Sequence, residues 1–370
     1  MNSVRISVGI ISLTLLGPVA AQGREPRAQW ESFEQRLTHA QSVLRAMGEQ
    51  PAAIKSVNYH VLYVCRRAFA EQRKTILEAT RRNFLGFMRR LKVKINPKHE
   101  KLLVIVLDTQ EQMIEFSRRT SADGNINRTV AGYYSDERNW AVFYNQRKGS
   151  DLIAWEKWLK NMAKQLVTIP GGPQTEINVA SPKGWLTLTK KQLANQMKKK
   201  WKSVVREVNG YNAVVTQHEG AHQLAFNVGV QTPGRAYPFW VSEGLACLFE
   251  VPPKKGKIGR GAGRVNQLRL AGYRKLQKKS QTLGIAGLIG LKANDRIASV
   301  DALYSESWAV FAFLFHRHSK ELSGYLNHLA ERPAREENKL FDELAEFQQF
   351  FDQPAAKWQA ELHTYVKRLK

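Results

Sequence analysis

Cysteine is scarce in this chain: Cys65 and Cys247 are the only two among 370 residues. They bound the covalent cross-links to one disulfide, which would form only in an oxidising compartment; two buried free thiols are the plainer expectation. Long apolar runs are also scarce. After residue 21 no stretch is apolar for long enough to make a membrane-spanning helix. Acidic side chains are the third shortage, 32 against 57 Lys and Arg, which leaves a formal charge of +25 and a pI near 10.1. Such a surplus attracts anionic partners over a distance, whether nucleic acid, anionic envelope polymers of an acidic cell wall, or an acidic substrate. Basic residues gather at 81–101, 190–202, 254–264 and 274–279. No nucleic-acid-binding motif accompanies them and no aromatics interleave with them for stacking. No specific nucleic-acid partner is therefore expected, and most of these side chains read as solvated faces. Internal repeats are lacking as well.

A targeting signal is present. Arg5 precedes an uncharged apolar run, Ile6 to Leu16, and Val19-Ala20-Ala21 offers the small residues that a signal peptidase reads. The expectation is a cleaved signal peptide over 1–21, a mature chain starting at Gln22, and a secreted or periplasmic location. With 43% hydrophobic and 24% charged residues, the remainder can bury a core and does not read as disordered.

Apolar side chains recur at helical spacing through residues 26–95, so this region reads as a helical N-terminal extension. Leu102 to Leu107 (LLVIVL) then reads as a buried strand, and Thr109 to Arg119 as a helix. Ala131 to Tyr134 and Asn139 to Tyr144 read as two strands joined by the polar turn Ser135-Asp136-Glu137-Arg138. A helix is expected around Leu152 to Leu166, followed by a loop at Pro170-Gly171-Gly172-Pro173. Thr187 to Val208 reads as an exposed basic helix, punctuated by Asn209-Gly210, with a further helix over Asn212 to Phe226. Pro238 suits the first turn of the next helix, which runs to Glu250. From Val265 onward the chain reads as helices, with breaks near 284–292 and at Pro333 and Pro354. The expected architecture is α+β, mostly helical with a small mixed sheet.

The segment with chemistry in it is Thr216-Gln217-His218-Glu219-Gly220-Ala221-His222. Residues four apart stack on one helix face, so His218 and His222 can offer two imidazoles to one ion. Glu219 follows the first histidine and projects beside the ion, where a carboxylate can take a proton from an activated water. Glu243, separated from His222 by twenty residues, supplies a third ligand from the next helix. Two imidazoles, one carboxylate and an open position are the donor set of a catalytic zinc site, so Zn2+ is the expected cofactor. Gly244 and Ala246 are small enough to let two helices close around it. His316 and His318 cannot share a helix face and read as packing residues. Ser305 and Ser307 have no histidine and aspartate partners in sight, which disfavours a serine hydrolase.

The two histidines, the glutamate between them and the later Trp240-Val241-Ser242-Glu243-Gly244-Leu245-Ala246 resemble the gluzincin metallopeptidases, and more closely the peptidase-MA-like families, among them a secreted bacterial family of unknown function. The resemblance spans approximately residues 101–370, including Tyr304 to Trp308 and the helix from Trp358. It implies a zincin-like domain over 96–370 with a helical region over 22–95 before it. It also implies a zinc-dependent peptidase acting on a peptide or protein substrate. His218, His222 and Glu243 match the metal ligands, Glu219 the general base, and Tyr304 the tyrosine that stabilises the oxyanion in several gluzincins. One position departs: where many gluzincins carry an acidic residue one turn after the third ligand, this chain has Cys247, so support for a ligand histidine has to come from elsewhere. The alternatives are a non-catalytic protein of the same fold and a basic envelope-binding module.

Overall fold

The computed structural model describes residues 30–97, 100–121, 126, 128, 130–181, 184–251, 264–291, 299–333 and 341–370. The expected signal peptide and the start at Gln22 lie outside the described residues. The first half comprises α1 (Phe33–Ala46), β1 (Ala52–Lys55), β2 (Tyr59–Tyr63), α2 (Arg67–Leu91), β3 (Leu102–Leu107), α3 (Gln110–Thr120), β4 (Gly132–Ser135), β5 (Trp140–Tyr144) and α4 (Ser150–Thr168). The second half comprises β6 (Glu176–Ser181), β7 (Gly184–Thr189), α5 (Lys190–Asn227), α6 (Phe239–Cys247), α7 (Gln267–Lys278), α8 (Gly284–Ile289), α9 (Val300–Arg317), α10 (Ser319–Glu331), α11 (Glu343–Phe350) and α12 (Ala355–Arg368). The protein is α+β, mostly helical, as expected.

Five strands form one mixed sheet in the order β1-β2-β3-β5-β4. β3 is parallel to both neighbours, whereas β1 and β4 run antiparallel at the two edges. All six β3 residues are buried because both faces are covered. Leu102, Val104 and Val106 join α2 and α5 in the larger core, and Leu103, Ile105 and Leu107 join α1 and α3 in a second one. Helices thus cover both faces of the sheet. Capping boxes start α1 at Ser32, α3 at Thr109 and α5 at Thr189, each hydroxyl satisfying an amide that the first turn leaves unpaired.

The structure corrects three expectations. Residues 52–55 and 59–63 are strands, not helix, and they pair into the same sheet as β3. The region before residue 96 is therefore partly helical and contributes to the common sheet. Asn209-Gly210 does not interrupt the chain: α5 runs through it for 38 residues. Residues 187–189, expected to start a helix, instead belong to a β6–β7 hairpin, whose Ile177, Val179 and Leu188 pack on Leu166 and Leu193. Cys65 and Cys247 are free thiols. No helix among the described residues is long and apolar enough to cross a membrane.

Candidate metal centre

α5 is exposed along much of its first half and buried from Asn212 onward, where it passes under the sheet beside α2 and β4. Gly220 faces Leu77 of α2 closely. The buried half carries His218, Glu219 and His222, which are 4%, 2% and 9% exposed. After a turn, α6 returns against α5 and brings Glu243, 7% exposed, to the same point. α6 can approach α9 because Gly244 has no side chain: a Cβ there would stand 2.6 Å from the Ser307 carbonyl oxygen. α9 carries Tyr304, whose ring centre lies 5.7 Å from that of His218.

His218 Nε2 lies 3.0 Å from Glu243 Oε2 and 3.1 Å from His222 Nε2, and His222 Nε2 lies 3.4 Å from Glu243 Oε2. These three atoms form a nearly equilateral triangle. Tetrahedral coordination with bonds of about 2.0 Å has edges of about 3.3 Å. Two imidazole nitrogens facing each other across 3.1 Å in a buried site are otherwise a poor arrangement, since each desolvated acceptor is costly without a partner. The residues fit a metal ion such as zinc. Glu219 stays outside the triangle, and its buried Oε2 has no hydrogen-bond partner.

A second ring of polar groups surrounds the first, and sequence reasoning missed it. Glu250, three residues past Cys247, places Oε1 2.9 Å from His218 Nδ1. A proton on Nδ1, favoured by the facing Glu250 charge, leaves Nε2 with a free lone pair directed at the triangle. Glu250 is itself held by Arg269, whose Nε donates to Oε2 and Nη2 to Oε1, both at 2.7 Å. Asn266 Nδ2 donates to Glu250 Oε2 at 3.0 Å. The only advance signal for Glu250 was its helical offset: seven residues beyond Glu243 is the same face of a helix.

Charge balances follow from these contacts. Burial alone would depress the His218 pKa, but Cys247, Glu243 and Glu250 outweigh it and raise it well above the ordinary value. Burial pushes Glu243 up, and His222 and His218 pull it down to about 2. For Glu250 too, burial is overcome, first by Arg269 and then by His218, and the carboxyl sits well below the usual range. Glu219 behaves oppositely. Burial raises it to about 7, while His218, His222 and the nearby Tyr134 backbone amide oppose the rise. Burial also pushes the Cys247 thiol up to about 11.

The predicted His218, His222 and Glu243 are thus brought together, with Glu219 beside them and Tyr304 against His218. His218, Cys247 and Glu250 form a second cluster of candidate ligands sharing one histidine. Its Glu250 already accepts from a buried guanidinium, which disfavours a cation there. No curated protein matches this chain. Residues 212–336, about a third of the chain, are similar to a family described as a protein of unknown function (DUF1570), and the match takes in every residue of the metal centre.

Proposed function

We propose that this protein is a zinc-dependent metallohydrolase with a zincin-like domain, and that it cleaves peptide bonds outside the cytoplasm. The supporting observation is the buried triangle of His218 Nε2, His222 Nε2 and Glu243 Oε2, with sides of 3.0 to 3.4 Å. His218, His222 and Glu243 would hold the ion. When bound, zinc supplies Lewis acidity to a carbonyl and acidifies water.

The other steps belong to the chain. Glu219 neighbours the triangle without being part of it, so its carboxylate is available to accept a proton from the attacking water and return it to the leaving amine. Tyr304, whose ring centre lies 5.7 Å from that of His218, would donate a hydrogen bond to the oxyanion. β4 is an edge strand packed beside α5, and its Tyr134 backbone adjoins Glu219. A free strand edge can hold an extended peptide by main-chain pairing. The secreted location rests on the N-terminal sequence.

The test is a paired measurement on Glu219→Gln. The variant should retain one zinc per chain and its fold, and lose hydrolysis of a cleaved peptide by about two to four orders of magnitude. Normal zinc with normal rate in this variant would overturn the mechanism. Absence of zinc from the wild type would overturn the metal centre itself.

A further inference from the structure

The guanidinium of Arg269 makes more contacts than neutralising Glu250 requires. Its Nε and Nη2 grip both oxygens of Glu250, and its Nη1 donates to Asp301 Oδ1 at 2.8 Å. The same group lies over the ring of Tyr304, with Cζ 4.9 Å from the ring centre. Arg269 and Glu250 are each 5% exposed, so these bonds are formed out of water, where geometry is strongly enforced. Glu250 in turn stands 2.9 Å from His218 Nδ1. One side chain on α7 therefore touches both the group that orients a ligand histidine and the tyrosine that borders it.

Resting on the metal reading above, we propose that Arg269 is the positioning residue of this centre: it fixes the rotation of His218 through Glu250, and holds Tyr304 by the contact over its ring. The competing account is that Arg269 only balances a buried carboxylate. A lysine distinguishes the two, because it carries the same charge but lacks the planar fork and the stacking face. Asn266 reinforces the arrangement, since it bonds Glu250 and accepts from the Arg269 backbone amide at 3.3 Å. This fixes the start of α7 relative to the carboxylate.

The experiment measures Zn2+ affinity by competition with a chromophoric chelator, and the visible absorption of the Co2+-substituted protein, in the wild type and Arg269→Lys. Arg269→Lys should keep the far-UV spectrum, bind zinc about 10- to 100-fold more weakly, and show a shifted cobalt spectrum. Equal affinity and an unchanged cobalt spectrum would overturn the proposal and leave the metal centre intact. A wild type that binds neither ion would instead overturn the metal reading on which the proposal rests. If Arg269→Lys does not fold, the double variant Glu250→Gln/Arg269→Gln decides, because it removes both buried charges together. Weak binding equal to that of Glu250→Gln alone supports a single relay from Arg269 through Glu250 to His218. Wild-type binding in the double variant overturns it.

Discussion

Gly220 and Gly244 both sit inside helices, yet alanine at the two positions should act in opposite senses. Either replacement removes glycine's excess backbone freedom and favours the helix by about 1 kcal/mol. At Gly220 the added Cβ would meet the Leu77 Cδ2 methyl at 2.8 Å, with the next neighbour at 3.9 Å. That methyl is the far end of a flexible side chain and can rotate away. At Gly244 the Cβ would meet the Ser307 carbonyl oxygen at 2.6 Å and Phe311 Cβ at 2.8 Å. Neither can move without α9 moving. Clearing the carbonyl needs about 0.8 Å, from 2.6 Å to the 3.4 Å at which ordinary contact begins. A gap of that size forfeits a quarter to a half of the dispersion energy along the contact, and overpacking of this kind costs about 1–3 kcal/mol or more. Gly220→Ala should thus lie within about 1 kcal/mol of wild type; with two rigid neighbours the cost at Gly244 falls in the upper part of that range, about 2–3 kcal/mol, so Gly244→Ala should be less stable by about 1–2 kcal/mol net. Because α6 carries Glu243, Gly244→Ala should also weaken zinc binding. Urea unfolding of the metal-free proteins measures the first effect, and chelator competition the second. Wild-type stability in Gly244→Ala would refute the close α6–α9 packing.

Three other outcomes follow. Glu306 on α9 is 2% exposed and accepts from the Leu283 amide, and burial raises its pKa from 4.5 to about 7. The folded state then holds a proton that the unfolded state releases, so stability should fall by up to about 3 kcal/mol between pH 4.5 and 7, and Glu306→Gln should flatten that slope; parallel urea midpoints across this range in both proteins would exclude it. His222→Ala should abolish stoichiometric zinc and with it any zinc-dependent rise in the unfolding midpoint, which metal analysis and calorimetry check together. Tyr304→Phe should bind zinc normally and lose turnover by about 10²-fold with little change in KM; unchanged turnover would return Tyr304 to a packing role.

Local pattern predicted the elements whose burial is uniform or whose caps are explicit. LLVIVL is apolar on both faces and became the central strand, and Pro238 opens α6 as expected. YHVLY at 59–63 is also wholly buried, but five residues fit a helical period as well as a strand. What decides is parallel pairing with β3, residue 59 opposite residue 102, and no local window contains that contact. Asn209-Gly210 looked like a stop because glycine disfavours a helix interior. A Cβ at Gly210 would meet nothing within 4 Å, so packing does not require the glycine, and the buried residues on either side carry α5 past it. The hairpin at 176–189 did alternate, with Ile177, Val179, Leu186 and Leu188 on one face. Its proline- and glycine-rich flanks masked that period.

The candidate metal ligands were legible for a geometric reason: helical spacing puts His218 and His222 one above the other whatever surrounds them. Glu243 needed only a short return helix. The outer ring was not legible, because a carboxylate that orients a histidine has to reach it, not to occupy a set position in the sequence. With Cys247 one turn past Glu243, the support moved to Glu250, just beyond the end of α6. Glu250 can carry a buried charge there only because Arg269 arrives from α7, nineteen residues later and across a stretch that shows no motif. A carboxylate without that partner would be costly to bury and would take up a proton. It would then donate its own proton toward Nδ1 of His218, which would put the imidazole proton on Nε2, the nitrogen that faces the triangle. The identity of the residue at 269 therefore bears on the metal centre as directly as that at 250, although neither lies within the two segments that first drew attention to the site.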